Sequence, residues 1–239
     1  MTEPQNPSPV LAQRQIVGVF LVLAFAYFLS TLLRAITATL SPTLTLELSL
    51  SAQDLGLLAG GYFLGFSATQ LPLGKWLDRH GPKKVIVCFL AVAVLGCVAF
   101  AMAQSFVGLW LARVLCGVGV SACLMAPLTG YRRWMDAGAQ LRANSWMLMT
   151  GSFGMLASTL PVQWLMPITG WRALFVGLAV LVLLAMLLIW KVVPDWETPQ
   201  PPSGNTAQAE SGYGPVWRNA YFWRMAPLGF FCYSGMLAI

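Results

Sequence analysis

The chain has 239 residues, 58% of them hydrophobic and 9% charged, against about 45–50% apolar and ~25% charged in soluble domains. The apolar residues run in long unbroken blocks rather than at the spacing of half-buried strands or helices, so a soluble core is excluded and lipid is the solvent they imply. A net charge of +6 does not point to nucleic acid, because the basic residues sit in short connections between those blocks rather than on one water-facing surface.

Taken in order, the chain opens with a polar tail over 1–15 that carries one basic residue, Arg14. The apolar block behind it outruns the 7–15 residues of a signal-peptide core, so it is expected to stay as a first span. Neither end shows a lipidation or retrieval motif. A hydrocarbon layer of ~30 Å asks for roughly 20 apolar residues per helix, and the sequence supplies six such spans near 16–40, 53–73, 84–102, 106–128, 143–166 and 173–192. The predicted class is therefore an all-α, multi-pass membrane protein, with a bundle over 16–192. Basic residues gather in alternate connections: Arg14, then Lys75, Arg79, Lys83 and Lys84, then Arg132, Arg133 and Arg142, then Lys191, Arg218 and Arg224. The other connections hold Arg172 alone, which predicts a cytoplasmic N-terminus.

The stretch 193–219 is rich in proline and glycine and reads as a flexible cytoplasmic linker. A seventh apolar segment begins at 220 and runs to 239 without a polar anchor. The sequence thus reads as a truncated frame or a fragment of a longer protein.

Span one carries a polar stripe. Tyr27, Ser30, Thr31, Arg34, Thr37 and Ser41 recur at intervals of three or four and share one helical face, which lines a cavity or packs on neighbouring helices. Arg34 is its sharpest member, since a guanidinium offers an anion a planar set of donors. Snorkelling to the outer interface, or a pair with Glu47 or Asp54, is the alternative. Gln163 and Gln70 are further polar candidates for solute contact or interhelical bonds. Gly61 and Gly65 in span two, and Gly151, Gly154 and Ser158 in span five, mark faces where helices can approach closely.

No enzymatic or metal chemistry is visible. Cys88, Cys97, Cys116, Cys123 and Cys232 fall in apolar blocks without a CxxC pair, and His80 stands alone in a loop. HExxH and GxSxG are absent. No metal, cofactor or nucleic acid is expected; the partners are the bilayer and a small solute, with a coupling proton or ion left open.

Three motifs carry a family resemblance. The loop Gly74-Lys75-Trp76-Leu77-Asp78-Arg79-His80-Gly81-Pro82-Lys83-Lys84 resembles the G-x-x-x-D-R-x-G-x-K-K signature of the major facilitator superfamily, its glycines suiting a tight turn between helices. Arg113 followed by Gly117 and Gly119 is similar to the fourth-helix R-x-x-x-G-x-G pattern. Gly170-Trp171-Arg172 with Phe175 resembles the G-W-R-x-x-F entry to the sixth helix, where Trp171 suits an interfacial aromatic belt. These matches extend over 11–192. The resemblance implies two six-helix bundles, each built from inverted three-helix repeats, with a solute site between them and access by rocking. It also implies Asp78 as an electrostatic partner of Arg113, a gating or structural role for that pair, and a monomer when full length. The expected function is uptake of a small anionic solute. Proton-coupled drug efflux is the rival, although it commonly implies a membrane-embedded acid and a glycine-proline motif in helix five, and neither is evident. A non-transporting scaffold is the third reading.

Overall fold

The computed structural model describes residues 12–195 together with positions 221, 223, 225 and 227. Most of the expected linker and seventh helix, with Arg218, Arg224 and Cys232, lies outside the described residues. The chain divides into two compact units, 1–198 and 199–239; in the second, the four described positions are helical.

The first unit contains six helices and, among the described residues, no strand: α1 (Gln13–Leu48), α2 (Ala52–Met102), α3 (Phe106–Val120), α4 (Ala122–Trp134), α5 (Ala137–Ala157) and α6 (Leu160–Val192). Four stretches are long and apolar enough to cross a membrane: Gln13–Leu48, Ala52–Met102, Phe106–Trp134 and Leu160–Val192. The second has 51 residues and would run ~76 Å if straight, more than twice a ~30 Å hydrocarbon layer. It is two arms bent at Gly81, whose φ of 77° and ψ of 163° are not helical. In α6, Gly170 adopts nearly the same conformation, φ 73° and ψ 162°. Positive φ of this kind suits glycine, which has no Cβ to clash.

Close approaches show which way each arm runs. A Cβ on Gly61 would touch the Trp110 ring, and one on Gly65 would lie 2.2 Å from the Val114 carbonyl oxygen. Both this arm and the second meet the same stretch of α3, 110–119, which a straight helix could not do, so α2 folds back at Gly81 and its first arm runs opposite to its second. In the second arm Gly96 meets Cys116, while Ala93 meets Gly119. Position falls on α3 as it rises on this arm, so the second arm runs antiparallel to α3, the first arm parallel to it, and α2 is a hairpin. On the other side, Gly151 and Gly154 of α5 sit against Tyr27 and against Phe28 and Thr31 of α1, again in parallel. The two glycine bends, one after each second helix, and the two parallel seams are the geometry of paired three-helix units with inverted topology.

The fifth span departs from expectation. Instead of one helix over 143–166, the backbone breaks at Ser158 and Thr159. Pro161 has no N–H to return to the Ala157 carbonyl, and the Ser158 carbonyl accepts from Thr39 Oγ1 at 2.7 Å. Residues 160–169 then continue the crossing up to Gly170.

The basic residues collect at one end. Lys83 pairs with Asp195 at 3.0 Å, Gly18 adjoins Val192, and Arg14 and Arg142 line clefts beside α1. At the opposite end Glu47 accepts from Trp171 Nε1 and pairs with Arg172. Trp171 is therefore not a headgroup belt residue: it is 2% exposed, set edge-on to Phe100 with ring centroids 5.7 Å apart. The signature loop also differs from expectation in one glycine. Gly81 makes the turn, whereas Gly74 stays helical with open space where a Cβ would project.

Two outcomes follow in detergent melting experiments. Gly81→Ala forces a side chain into a positive-φ, extended conformation that costs about 1–3 kcal/mol and should lower Tm by roughly 2–12 °C, while Gly74→Ala should leave it unchanged or slightly raised. The Arg172 and Trp171 hydrogen bonds hold the Glu47 carboxyl below its ordinary range. Its contribution is present above that range and disappears as pH falls through the depressed value. Both charged side chains are about 40% exposed, so screening limits the pair to ~0.5 kcal/mol. Tm of wild type should exceed that of Glu47→Gln at pH 7, and the two should converge in acid, once pH has fallen through the depressed value.

Candidate functional site

The first arm of α2 can lie close to α3 because Gly61, Gly65 and Gly117 remove the side chains between them; a Cβ on Gly117 would stand 2.0 Å from the Tyr62 carbonyl oxygen. Gly119 does the same for the second arm at Ala93. This seam brings Tyr62, fully buried, against Arg113, 1% exposed. The Arg113 guanidinium lies 5.0 Å from the Tyr62 ring centroid, and its Nη1 donates to the Leu33 carbonyl at 2.9 Å. Its Nε finds no acceptor among the described residues.

Tyr62 stacks on Phe66, with centroids 6.3 Å apart and planes 15° from parallel, and Phe66 carries the Arg34 guanidinium at 5.2 Å. The Tyr62 hydroxyl donates to the Ser30 carbonyl at 3.4 Å and lies within electrostatic reach of both arginines. The result is a ladder of cation, ring, ring and cation drawn from α3, α2 and α1. Each rung is worth about 0.5–2 kcal/mol depending on how dry it is. Arg113 is enclosed by protein; Arg34 is half-buried.

Arg34 lies deep. Glu47, near the C-terminal end of α1, is 13 residues further along the helix, ~20 Å at the helical rise. The alternative partners are also taken: Glu47 holds Trp171 and Arg172, and Asp54 caps its own helix through Ser51. Arg34 therefore sits well inside the apolar stretch Gln13–Leu48, on an aromatic platform.

The rest of the stripe divides. Thr37 is buried with no hydrogen-bond partner for Oγ1 among the described residues. Ser30 donates weakly to the Val120 carbonyl at 3.5 Å. Tyr27 and Thr31 turn toward Gly151 and Gly154 of α5, and Thr31 Oγ1 returns to the Phe28 carbonyl at 3.0 Å. Ser41 bonds the Ala38 carbonyl. Gln163 is exposed on α6, between the levels where Thr39 meets Ser158 and Thr43 meets Met166, so it does not join Arg34. Gln70 bonds back to the Phe66 carbonyl at 3.5 Å.

Arg113 does not meet Asp78. Arg113 is level with Gly65, and Asp78 follows 13 residues later, ~20 Å along the helix, exposed and without an ion pair among the described residues. Arg79 and Lys84 are exposed, while Lys83 turns inward to Asp195 and over the Trp190 ring at 5.5 Å. Tyr62 and Phe66 were missed by sequence reasoning. The signal was Tyr62 standing directly after Gly61, in a motif read as packing alone. No group of histidine, cysteine, aspartate or glutamate among the described residues could hold a metal.

The Major Facilitator Superfamily model matches residues 23–239. The chain belongs to the major facilitator superfamily. Among curated relatives, it is 26% identical over 213 residues to the hexuronate transporter of Escherichia coli (strain K12), covering 83% of this chain and 49% of that protein. It is also 26% identical over 213 residues to the galacturonate transporter of Dickeya chrysanthemi, covering 83% of this chain and 62% of that one. The chain thus spans about half to three-fifths of these relatives' lengths. A solved structure of a bacterial homolog to the human lysosomal transporter Spinster superposes with a TM-score of 0.69 at 20% identity, over 87% of this chain and 49% of that one, which shows a shared fold. The chain is thus a multi-pass membrane protein of a transporter family, not an enzyme, and its glycine bends, signature loop and paired three-helix units belong to this superfamily's architecture.

Replacing Tyr62 tests the ladder within it. Tyr62→Leu removes the ring beneath Arg113 and opens a buried cavity, at a cost of about 2–4 kcal/mol, seen as a lowered Tm in detergent. Tyr62→Phe keeps the ring and should lose no more than ~1 kcal/mol.

Proposed function

We propose that this chain is the N-terminal bundle of a secondary transporter that takes up a small carboxylate-bearing solute by alternating access, with a cytoplasmic N-terminus and Arg34 as the solute's charged partner. The observation that carries this reading is a half-buried guanidinium well inside the apolar stretch Gln13–Leu48, mounted on Phe66 beside the Tyr62 hydroxyl. An arginine at that depth costs about 2.5–3.5 kcal/mol to insert and faces protein or a wet cavity. Its planar donors can grip a carboxylate through two parallel hydrogen bonds. Thr37 Oγ1, one turn further along α1, is the neighbouring group with spare hydrogen-bonding capacity.

The relatives' names support the charge of the solute. Hexuronates and galacturonate are sugar acids, anionic at neutral pH. The carboxylates among the described residues, Glu47, Asp54, Asp78, Asp136 and Asp195, all stand at helix ends, which leaves the cationic ladder as the ionic chemistry at depth. Gathering of lysine and arginine at the end that holds Arg14 supports the orientation. Drug efflux driven by an acid in this bundle finds no such acid there.

Cells expressing the gene in full should accumulate labelled galacturonate. Losing a charge-assisted contact of about 1.5–3 kcal/mol should raise KM for Arg34→Ala by ~10- to ~150-fold, and Arg34→Lys should recover little of it because an ammonium cannot match the planar fork. Unchanged uptake by Arg34→Ala, at equal amounts of protein in the membrane, would remove Arg34 from the solute path.

A further inference from the structure

Where the two arms of α2 meet, a groove of about 350 Å³ is lined by Trp76, His80, Lys84, Val85, Cys88 and Phe89. Its body is apolar, with Trp76 leaning on Phe89 at 5.7 Å between centroids. Its rim carries His80 and Lys84, both exposed, with Lys75 and Arg79 on the same turn and Asp78 as the one carboxylate among them. The adjacent lysines have parted: Lys83 is held inward by Asp195 and Trp190, so Lys84 is the ammonium left at the groove. Beyond the groove an exposed stripe runs on along the second arm of α2. Positions 84, 88, 91, 95, 98 and 102 are all exposed and fall on one helical face, and Leu95 is 64% exposed. From Lys84 to Leu95 is 11 residues, ~16 Å of helix, about half of a ~30 Å hydrocarbon layer.

We propose that this groove binds an anionic phospholipid, its phosphate against Lys84 and His80 and one acyl chain beneath Trp76 along the outward stripe of α2. A basic rim at the head of an apolar groove and stripe of one leaflet's length complements both parts of such a molecule, and the net positive turn favours it over a zwitterionic neighbour. A tryptophan at this level is amphipathic enough to lie between chain and headgroup. The inference does not depend on Arg34 or on which solute is carried.

Bromine on a lipid chain quenches tryptophan fluorescence at contact, so occupancy can be read directly. The protein is placed in phosphatidylcholine vesicles containing a minor share of phosphatidylglycerol, with one or the other lipid brominated at matched mole fraction. Ten tryptophans contribute, and subtracting the Trp76→Phe variant isolates the one in the groove. Brominated phosphatidylglycerol should quench Trp76 about fivefold more effectively than brominated phosphatidylcholine. The preference should fall to near unity in the His80→Gln, Lys84→Gln double variant and persist in Arg132→Gln, which removes a charge from the same end but not from the groove. Equal quenching by both lipids in the wild type would overturn the proposal. So would a preference that survives the double substitution, or one that Arg132→Gln abolishes just as well.

Discussion

Two guanidinium groups share one pair of stacked rings where α1, α2 and α3 meet, and the solvent outside makes that arrangement necessary. Hydrocarbon gives a cation neither water nor a counter-charge, so an arginine at depth needs π faces, carbonyl oxygens or a wet cavity. Arg113 has the first two, in the Tyr62 ring and the Leu33 carbonyl. That carbonyl belongs to α1, so the contact also ties α1 to α3. Arg34 shares the platform without being enclosed by it. The two cations thus differ in burial, and the proposed solute contact rests on that difference.

The platform depends on the glycines around it. Tyr62 reaches Arg113 because Gly61, Gly65 and Gly117 let two backbones approach to distances that no side chain would tolerate. The parallel seam between α1 and α5 repeats the device with Gly151 and Gly154. Gly81 and Gly170 repeat each other more closely still, with dihedrals within a few degrees at opposite ends of the bundle. Each three-helix unit thus carries the same bend and is joined to the other by the same kind of seam.

Much of this was legible in the residues. Length and apolar blocks gave the spans, because a bilayer demands about 20 residues at a time. The three motifs gave the family, and the spacing of Arg34 with Thr37 and Ser30 gave the polar face of α1. Other features were not legible for physical reasons. The face of a helix can be read from its period, but which neighbour meets that face cannot, so Tyr27 and Thr31 looked like cavity residues when they pack on α5. The family resemblance implied Arg113 with Asp78; packing of α3 at the level of Gly65 sets them ~20 Å apart. Tyr62 hid inside an apolar run because an aromatic between glycines reads as packing. The break before Pro161 was foreshadowed by the proline itself, yet it takes the Thr39 bond to the Ser158 carbonyl to make the interruption tolerable at depth.

If the account is right, the position of Arg34 is reached by water although it lies far from either end of α1. A cysteine at that position, compared with one at Leu95 on the outward stripe and with the unsubstituted protein to allow for native thiols, can be challenged with a charged, water-soluble thiol reagent on intact membranes. With a wet cavity at that level, Arg34→Cys is labelled and Leu95→Cys is not. Labelling of neither by that reagent, with both modified by a lipid-soluble maleimide, would place Arg34 against acyl chains and contradict it.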